Sequence, residues 1–237
     1  MAIPTNSDIL EISLLDIFKN ASKTDVDLWI QGSLVKTLKH RQYLYTAGDN
    51  ADRFFILMTG AAKLIRPTQR GDDHIVHFAS KGDVIGALLM TKGPQARYPI
   101  SVRSLGTTRV LAIPRSTYEH SWVSNAVLQN RLNSHLYQRM TNLQDKTSLM
   151  RSPLQVRIAH LLVNLLEDGT EEESGIINIP LTRQEIADAL GVAVESVIRI
   201  MSDWTQSGYI RSEGRQIELV DVSRILQLSS EENNTVS

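Results

Sequence analysis

The chain contains no cysteine, which excludes disulfides, thiolate metal sites and cysteine-ligated iron–sulfur clusters and fits a protein with no need of an oxidising compartment. It has no uninterrupted apolar run near the roughly 18 residues that would suggest a membrane span. The opening MAIPTNSDILEIS lacks the basic and apolar regions of a secretion signal. These absences place it in the cytoplasm, with no membrane partner expected. The patterns G-x-x-x-x-G-K-[ST], H-E-x-x-H and G-x-S-x-G are also missing, and no spacing of acids and histidines assembles a reaction, so no enzyme is expected. An excess of charge is lacking too, the formal net charge being −1. What remains is 237 residues, 42% hydrophobic and 22% charged, enough for one large or two modest domains, each with its own core.

The most informative stretch is Thr182 to Arg199, TRQEIADALGVAVESVIR. Thr182 followed three residues later by Glu185 is a capping box that opens a helix. Ile186, Ala187 and Leu190 share a face of it, and Gly191 supplies the left-handed residue that turns the chain. A second helix, about 194–207, carries Val197, Ile200, Met201 and Trp204 inward, with Glu195, Ser196 and Arg199 outward. Two short helices joined by a glycine turn form a helix-turn-helix.

An arginine can donate two parallel hydrogen bonds to guanine O6 and N7, and a glutamate can accept from cytosine N4. Glu195 and Arg199, one helical turn apart, suit neighbouring base pairs; Thr182, Arg183 and Ser196 suit phosphates or base edges. A Glu–Arg pair at this spacing is equally a common solvated ion pair. From Thr182 to Arg215 four arginines (183, 199, 211, 215) face five acids (185, 188, 195, 203, 213). Binding to double-stranded DNA should then be modest and salt-sensitive, and helped by dimerisation. The hairpin pattern of 209–220, with Ser212-Glu213-Gly214-Arg215 at its tip, follows as a wing.

Upstream, 8–32 suggests short helices. From Ser33 to Pro114 the period changes to two, with apolar segments punctuated by glycines, among them Gly71, as in an antiparallel barrel or roll. Ser116 and Glu119 form another capping box and predict the start of a long helix. Within it Leu136, Met140, Leu143, Thr147 and Met150 step by four and three, a seam for pairing with a second copy. Ser152-Pro153 restarts the chain as cap and first residue of a helix ending at Gly169. The acidic 171–173 run reads as a solvated loop, 176–180 as a short strand, VDVSRILQL as a last helix and SSEENNTVS as a frayed tail.

The helix-turn-helix and its wing resemble the DNA-binding domain of the Crp/Fnr family of bacterial transcription regulators. The phrases YTAGDNADRFFILMTGAAKLIR (45–66), FASKGDVIGALLM (78–90) and RYPISVRSLGTTRVLAIP (97–114) resemble that family's cyclic-nucleotide-binding β-roll. The resemblance implies an α+β chain: a β-roll over 1–115, a dimerisation helix over 116–150 and a winged helix-turn-helix over 151–237. It further implies a homodimer, a palindromic site and contact with RNA polymerase.

In nucleotide-binding members a glutamate directly after a glycine holds the ribose, and an Arg-Ser or Arg-Thr pair about ten residues later holds the phosphate. Here Gly86 is followed by Ala87, and Arg97 by Tyr98. A degenerate pocket bounded by these four residues and by Thr141 and Asn142 is expected, so cyclic AMP is disfavoured and no cofactor is expected. His74 and His77, three apart on a strand, point to opposite faces and suggest no metal. The competing reading is an effector-binding or scaffold protein whose helix-turn-helix is vestigial.

Overall fold

The computed structural model describes residues 1–67, 73–167 and 175–230. Gly71, the helix end at Gly169, the acidic run 171–173 and the tail beyond Ser230 lie outside them. The chain divides into two compact units, one built on 1–67 and 79–140, the other on the described residues from 141 onward together with 73–78.

In the first unit helices α1 (Asn6–Ser13) and α2 (Lys23–Trp29) precede strands β1 (Leu34–Leu38), β2 (Tyr43–Tyr45), β3 (Arg53–Thr59) and β4 (Ala62–Pro67). After β5 (Asp73–Ala79) come β6 (Val84–Ile85), a 3₁₀ turn at Ala87–Lys92, β7 (Ser101–Ser104) and β8 (Thr108–Pro114). One antiparallel sheet runs β1-β8-β3-β6, and a second sets β7 between β2 and β4. This is the roll that the period-two pattern predicts.

Strand β3 departs from simple alternation, since its five central residues are all buried. The reason is that it is covered on both sides. Phe55 turns towards Tyr45 and Tyr98, with ring centroids 5.6 and 6.3 Å away. Phe54 turns the other way, edge-on to Trp122 at 4.8 Å and to Tyr118 at 5.9 Å. Phe18 and Trp29 complete that outer cluster, and the indole N–H of Trp122 donates to the Trp29 carbonyl (2.9 Å). Arg109 on β8 pairs with Asp8 and Glu11 and so ties α1 to the sheet.

The long helix begins later than the Ser116/Glu119 signature predicts. A short helix α3 (Arg115–Thr117), capped by Pro114 with no side-chain bond, passes into a π turn at Tyr118–Trp122. The uninterrupted helix is α4 (Ala126–Ser148), and the Asn125 carboxamide oxygen accepts from the Leu128 N–H (3.0 Å) at its start. Tertiary contacts override the local box: Arg115 donates to the carbonyls of Ala51 and Met90, both at 2.6 Å, and Tyr118 and Trp122 are drawn into the core.

The second unit contains α5 (Leu154–Glu167), β9 (Ile176–Ile177), α6 (Arg183–Leu190), α7 (Val194–Gln206), β10 (Ile210–Glu213), β11 (Gln216–Leu219) and α8 (Val222–Ser230). Its sheet runs β10-β11-β9. Pro153 stands one place earlier than expected, its carbonyl accepting from the Arg157 N–H (3.2 Å) to open α5. The short strand expected over 176–180 is confined to its first two residues.

Candidate nucleic-acid interface

The Thr182–Glu185 box is formed as the sequence predicts. The Thr182 hydroxyl accepts from the Glu185 N–H (3.1 Å), while the Glu185 carboxylate accepts from the Thr182 N–H and hydroxyl, both at 3.0 Å. The same carboxylate accepts from Arg215 at the wing turn (3.1 Å), and the Leu181 N–H donates to the Arg215 carbonyl (2.8 Å). Thus the cap of α6 also fastens the wing. Gly191 has φ of +66° and ends α6; Arg157 of α5 donates to the Leu190 carbonyl there. A left-handed residue at this turn favours glycine.

Helix α7 is strongly two-sided. Val197, Met201 and Trp204 are buried, whereas Glu195, Ile198, Arg199 and Ser202 are exposed on the opposite face. Ile200, expected inward, is only half-buried. Among the described residues neither Glu195 nor Arg199 takes part in an ion pair, so the solvated pair that their spacing allows is not made. Glu195 also stands in the first turn, where the helix dipole favours an acid.

Arg183 is less free. It is half-buried and donates to the Ser212 hydroxyl on β10 (2.9 Å), and burial lowers its pKa from the ordinary guanidinium value. It therefore joins α6 to the wing. The ties made by Arg157, Arg183 and Arg215 link residues 29 to 33 positions apart, and no local pattern announces them.

The cap gives a first test. Thr182→Ala removes the hydroxyl that satisfies the Glu185 amide and should lower the stability of the second unit by about 1 to 2 kcal/mol, with Thr182→Ser restoring most of it. Urea unfolding followed by circular dichroism measures this. Equal midpoints for wild type and Thr182→Ala would show the box to be energetically idle.

In the first unit, a small cavity of about 70 Å³ lies between the Gly86–Leu88 turn and the α4 side chains Leu132, His135, Leu136 and Arg139. Gly86 and Ala87 belong to it as expected. Arg97, Tyr98, Thr141 and Asn142 are not among the residues that line it. Along the extended chain Ala96 and Tyr98 are buried and Arg97 and Pro99 exposed, because successive side chains alternate. Arg97 accordingly turns outward to the Gly48 carbonyl (2.7 Å).

Tyr98 turns inward and is buried in the roll. Its ring stacks on Tyr45 with centroids 3.7 Å apart, and its hydroxyl donates to the Arg53 carbonyl (2.6 Å). Burial, above all, pushes both phenols up from their ordinary pKa. Gly86 has φ of +82°, and a Cβ there would meet the Tyr98 ring at 3.3 Å. On the helix side, Arg139 donates to the Val84 carbonyl (3.1 Å), while its Nη2 is buried with no hydrogen-bond partner.

These features agree with comparisons to known proteins. Residues 35–121 match the cyclic nucleotide-binding domain model, and 156–228 match the Crp-like helix-turn-helix domain model. The chain is 26% identical to the transcriptional activator protein FnrA of Stutzerimonas stutzeri, over 78% of this chain and 76% of that one. It is 26% identical to the anaerobic regulatory protein of Bacillus subtilis, over 87% and 83% respectively. With the CRP-like cAMP-activated global transcriptional regulator of Mycobacterium tuberculosis it shares 25% identity over 77% of this chain and 82% of that protein. The fold is similar to that of FixK2 from Bradyrhizobium japonicum, with a TM-score of 0.72 at 22% identity over 84% of this chain and 98% of FixK2. With both domain models matched in order and a capped helix-turn-helix carrying a wing, the chain belongs to the Crp/Fnr family of DNA-binding transcription regulators.

Proposed function

We propose that this regulator acts as a homodimer that reads a palindromic DNA site through Glu195 and Arg199, without requiring a cyclic nucleotide. The observation that carries the reading is the pair of exposed side chains one turn apart on α7, neither held in an ion pair among the described residues, on a helix whose other face is packed into a core. Both groups are free to hydrogen-bond base edges. Dimerisation is supported by α4, which leaves Met140 and Leu143 at 51% and 55% exposure along the expected seam; Met150, the last residue of that seam, falls in the 3₁₀ turn Leu149–Arg151 after the helix and is 67% exposed. Thr147 is exposed with them, whereas Leu136 is half-buried and lines the cavity.

Ligand independence is supported by Tyr98, whose stacked and hydrogen-bonded ring occupies the roll interior, and by Ala87, which offers no acceptor for a ribose hydroxyl. Unpaired polar groups of a buried ligand cost about 1 to 3 kcal/mol each. The buried, unpartnered Nη2 of Arg139 favours a second reading, in which a small effector enters the cavity. The family resemblance supports, as part of this proposal, contact with RNA polymerase and a cytoplasmic location. Among the described residues no helix is long and apolar enough to cross a membrane.

The test is selection from random duplexes at low salt, with and without cyclic nucleotides. A palindrome with half-sites about 10 base pairs apart, enriched without added ligand, is the expected result. Enrichment that needs a cyclic nucleotide would remove ligand independence; no enrichment under either condition would remove DNA reading and leave effector binding or a scaffold role.

A further inference from the structure

We infer that Ile198 is a third specificity residue and reads the 5-methyl group of a thymine beside the base pair addressed by Arg199. This rests on the proposed reading of DNA by α7. Ile198 is a branched aliphatic side chain left 47% exposed in the middle of the helix, while the core face of the same helix is supplied by Val197, Met201 and Trp204. Burial in this chain therefore does not account for it.

Its place does. At 100° and about 1.5 Å per residue, positions 195, 198 and 199 fall on one face. Ile198 thus stands between the carboxylate and the guanidinium along the helix axis. Any DNA that meets those two groups in the major groove also meets Ile198. An aliphatic side chain makes no hydrogen bond to a base edge, and the apolar feature that the major groove offers is the thymine methyl. Cytosine at that position would set a polar amino group against the aliphatic surface and leave it without a partner, so the same contact that favours thymine disfavours cytosine.

The experiment uses the full-length protein and the duplex selected by it, with each thymine replaced in turn by deoxyuridine in both half-sites. This removes one methyl group and leaves every hydrogen-bonding group in place. At one position per half-site, uracil should weaken wild-type binding by about fourfold per half-site, the factor for one buried methyl. Ile198→Ala should bind thymine and uracil duplexes alike at that position, and Ile198→Val should keep part of the difference. Both variants alter an exposed residue, and unchanged circular dichroism and discrimination at the Arg199 base pair would show that the helix is intact. Equal sensitivity to uracil in wild type and Ile198→Ala, or a selected half-site with no thymine next to the Arg199 pair, would overturn the assignment while leaving DNA reading in place. Failure to enrich any duplex would overturn DNA reading and the Ile198 role with it.

Discussion

Trp122→Ala is expected to destabilise the first unit by about 3 to 5 kcal/mol, the range for removing a large buried aromatic ring. The indole is 0% exposed. It packs edge-on to Phe54 and Phe18, with centroids 4.8 and 6.1 Å away, and its N–H satisfies the carbonyl that ends the α2 segment at Trp29. Replacement by alanine leaves a cavity among three elements and strips that carbonyl of its donor. Trp122→Phe separates the two effects, since it fills most of the volume but cannot donate; it should recover more than half of the stability. Urea unfolding followed by far-ultraviolet circular dichroism gives the midpoints. A loss below about 1 kcal/mol in Trp122→Ala would mean that the space collapses and that this cluster does not anchor the roll.

That cluster was also the least legible part of the sequence. The helix-turn-helix could be read because its determinants are local: a hydroxyl three residues before a carboxylate, apolar residues at helical spacing and a glycine at the turn. Thr182, Glu185 and Gly191 perform those roles in the structure. The same box written as Ser116 and Glu119 does not form, because Arg115 is held by Ala51 and Met90 and because Tyr118 and Trp122 pack against Phe54. Nothing near Ser116 in sequence reports these partners.

The surroundings of Gly86 are legible only in part, for a related reason. The family resemblance singles out Gly86 and Ala87, but which residues of α4 face them depends on packing between distant segments. The cavity wall is formed by Leu132, His135, Leu136 and Arg139, all N-terminal to Thr141 and Asn142 on the same helix. Strand alternation could have shown that Arg97 and Tyr98 point to opposite sides. It could not have shown that the inward ring stacks on Tyr45, a residue 53 positions earlier (98 − 45).

Arg199→Ala should weaken binding to the selected site by about 5- to 150-fold, the equivalent of 1 to 3 kcal/mol for a bidentate bond pair to guanine. The side chain is exposed and makes no ion pair among the described residues, so its removal should leave the unfolding midpoint of the second unit unchanged. Arg199→Lys keeps the charge but not the planar fork, and should lose most of the discrimination for guanine while retaining more of the affinity. The decisive comparison is between sequences and salts. If Arg199 reads a base, the alanine variant binds sites altered at one position per half-site as well as it binds the selected one, and the slope of log affinity against log salt stays near the wild-type value. If Arg199 instead lies on a phosphate, affinity falls by the same factor on every sequence and the slope drops by about one for each phosphate no longer neutralised. The second pattern would remove the assignment of Arg199 as a base reader and, because Ile198 is placed relative to it, would move the expected thymine as well. The neutral balance of the domain sharpens this test: with four arginines against five acids between Thr182 and Arg215, few phosphate-binding side chains are available to mask the removal of one that specifies sequence.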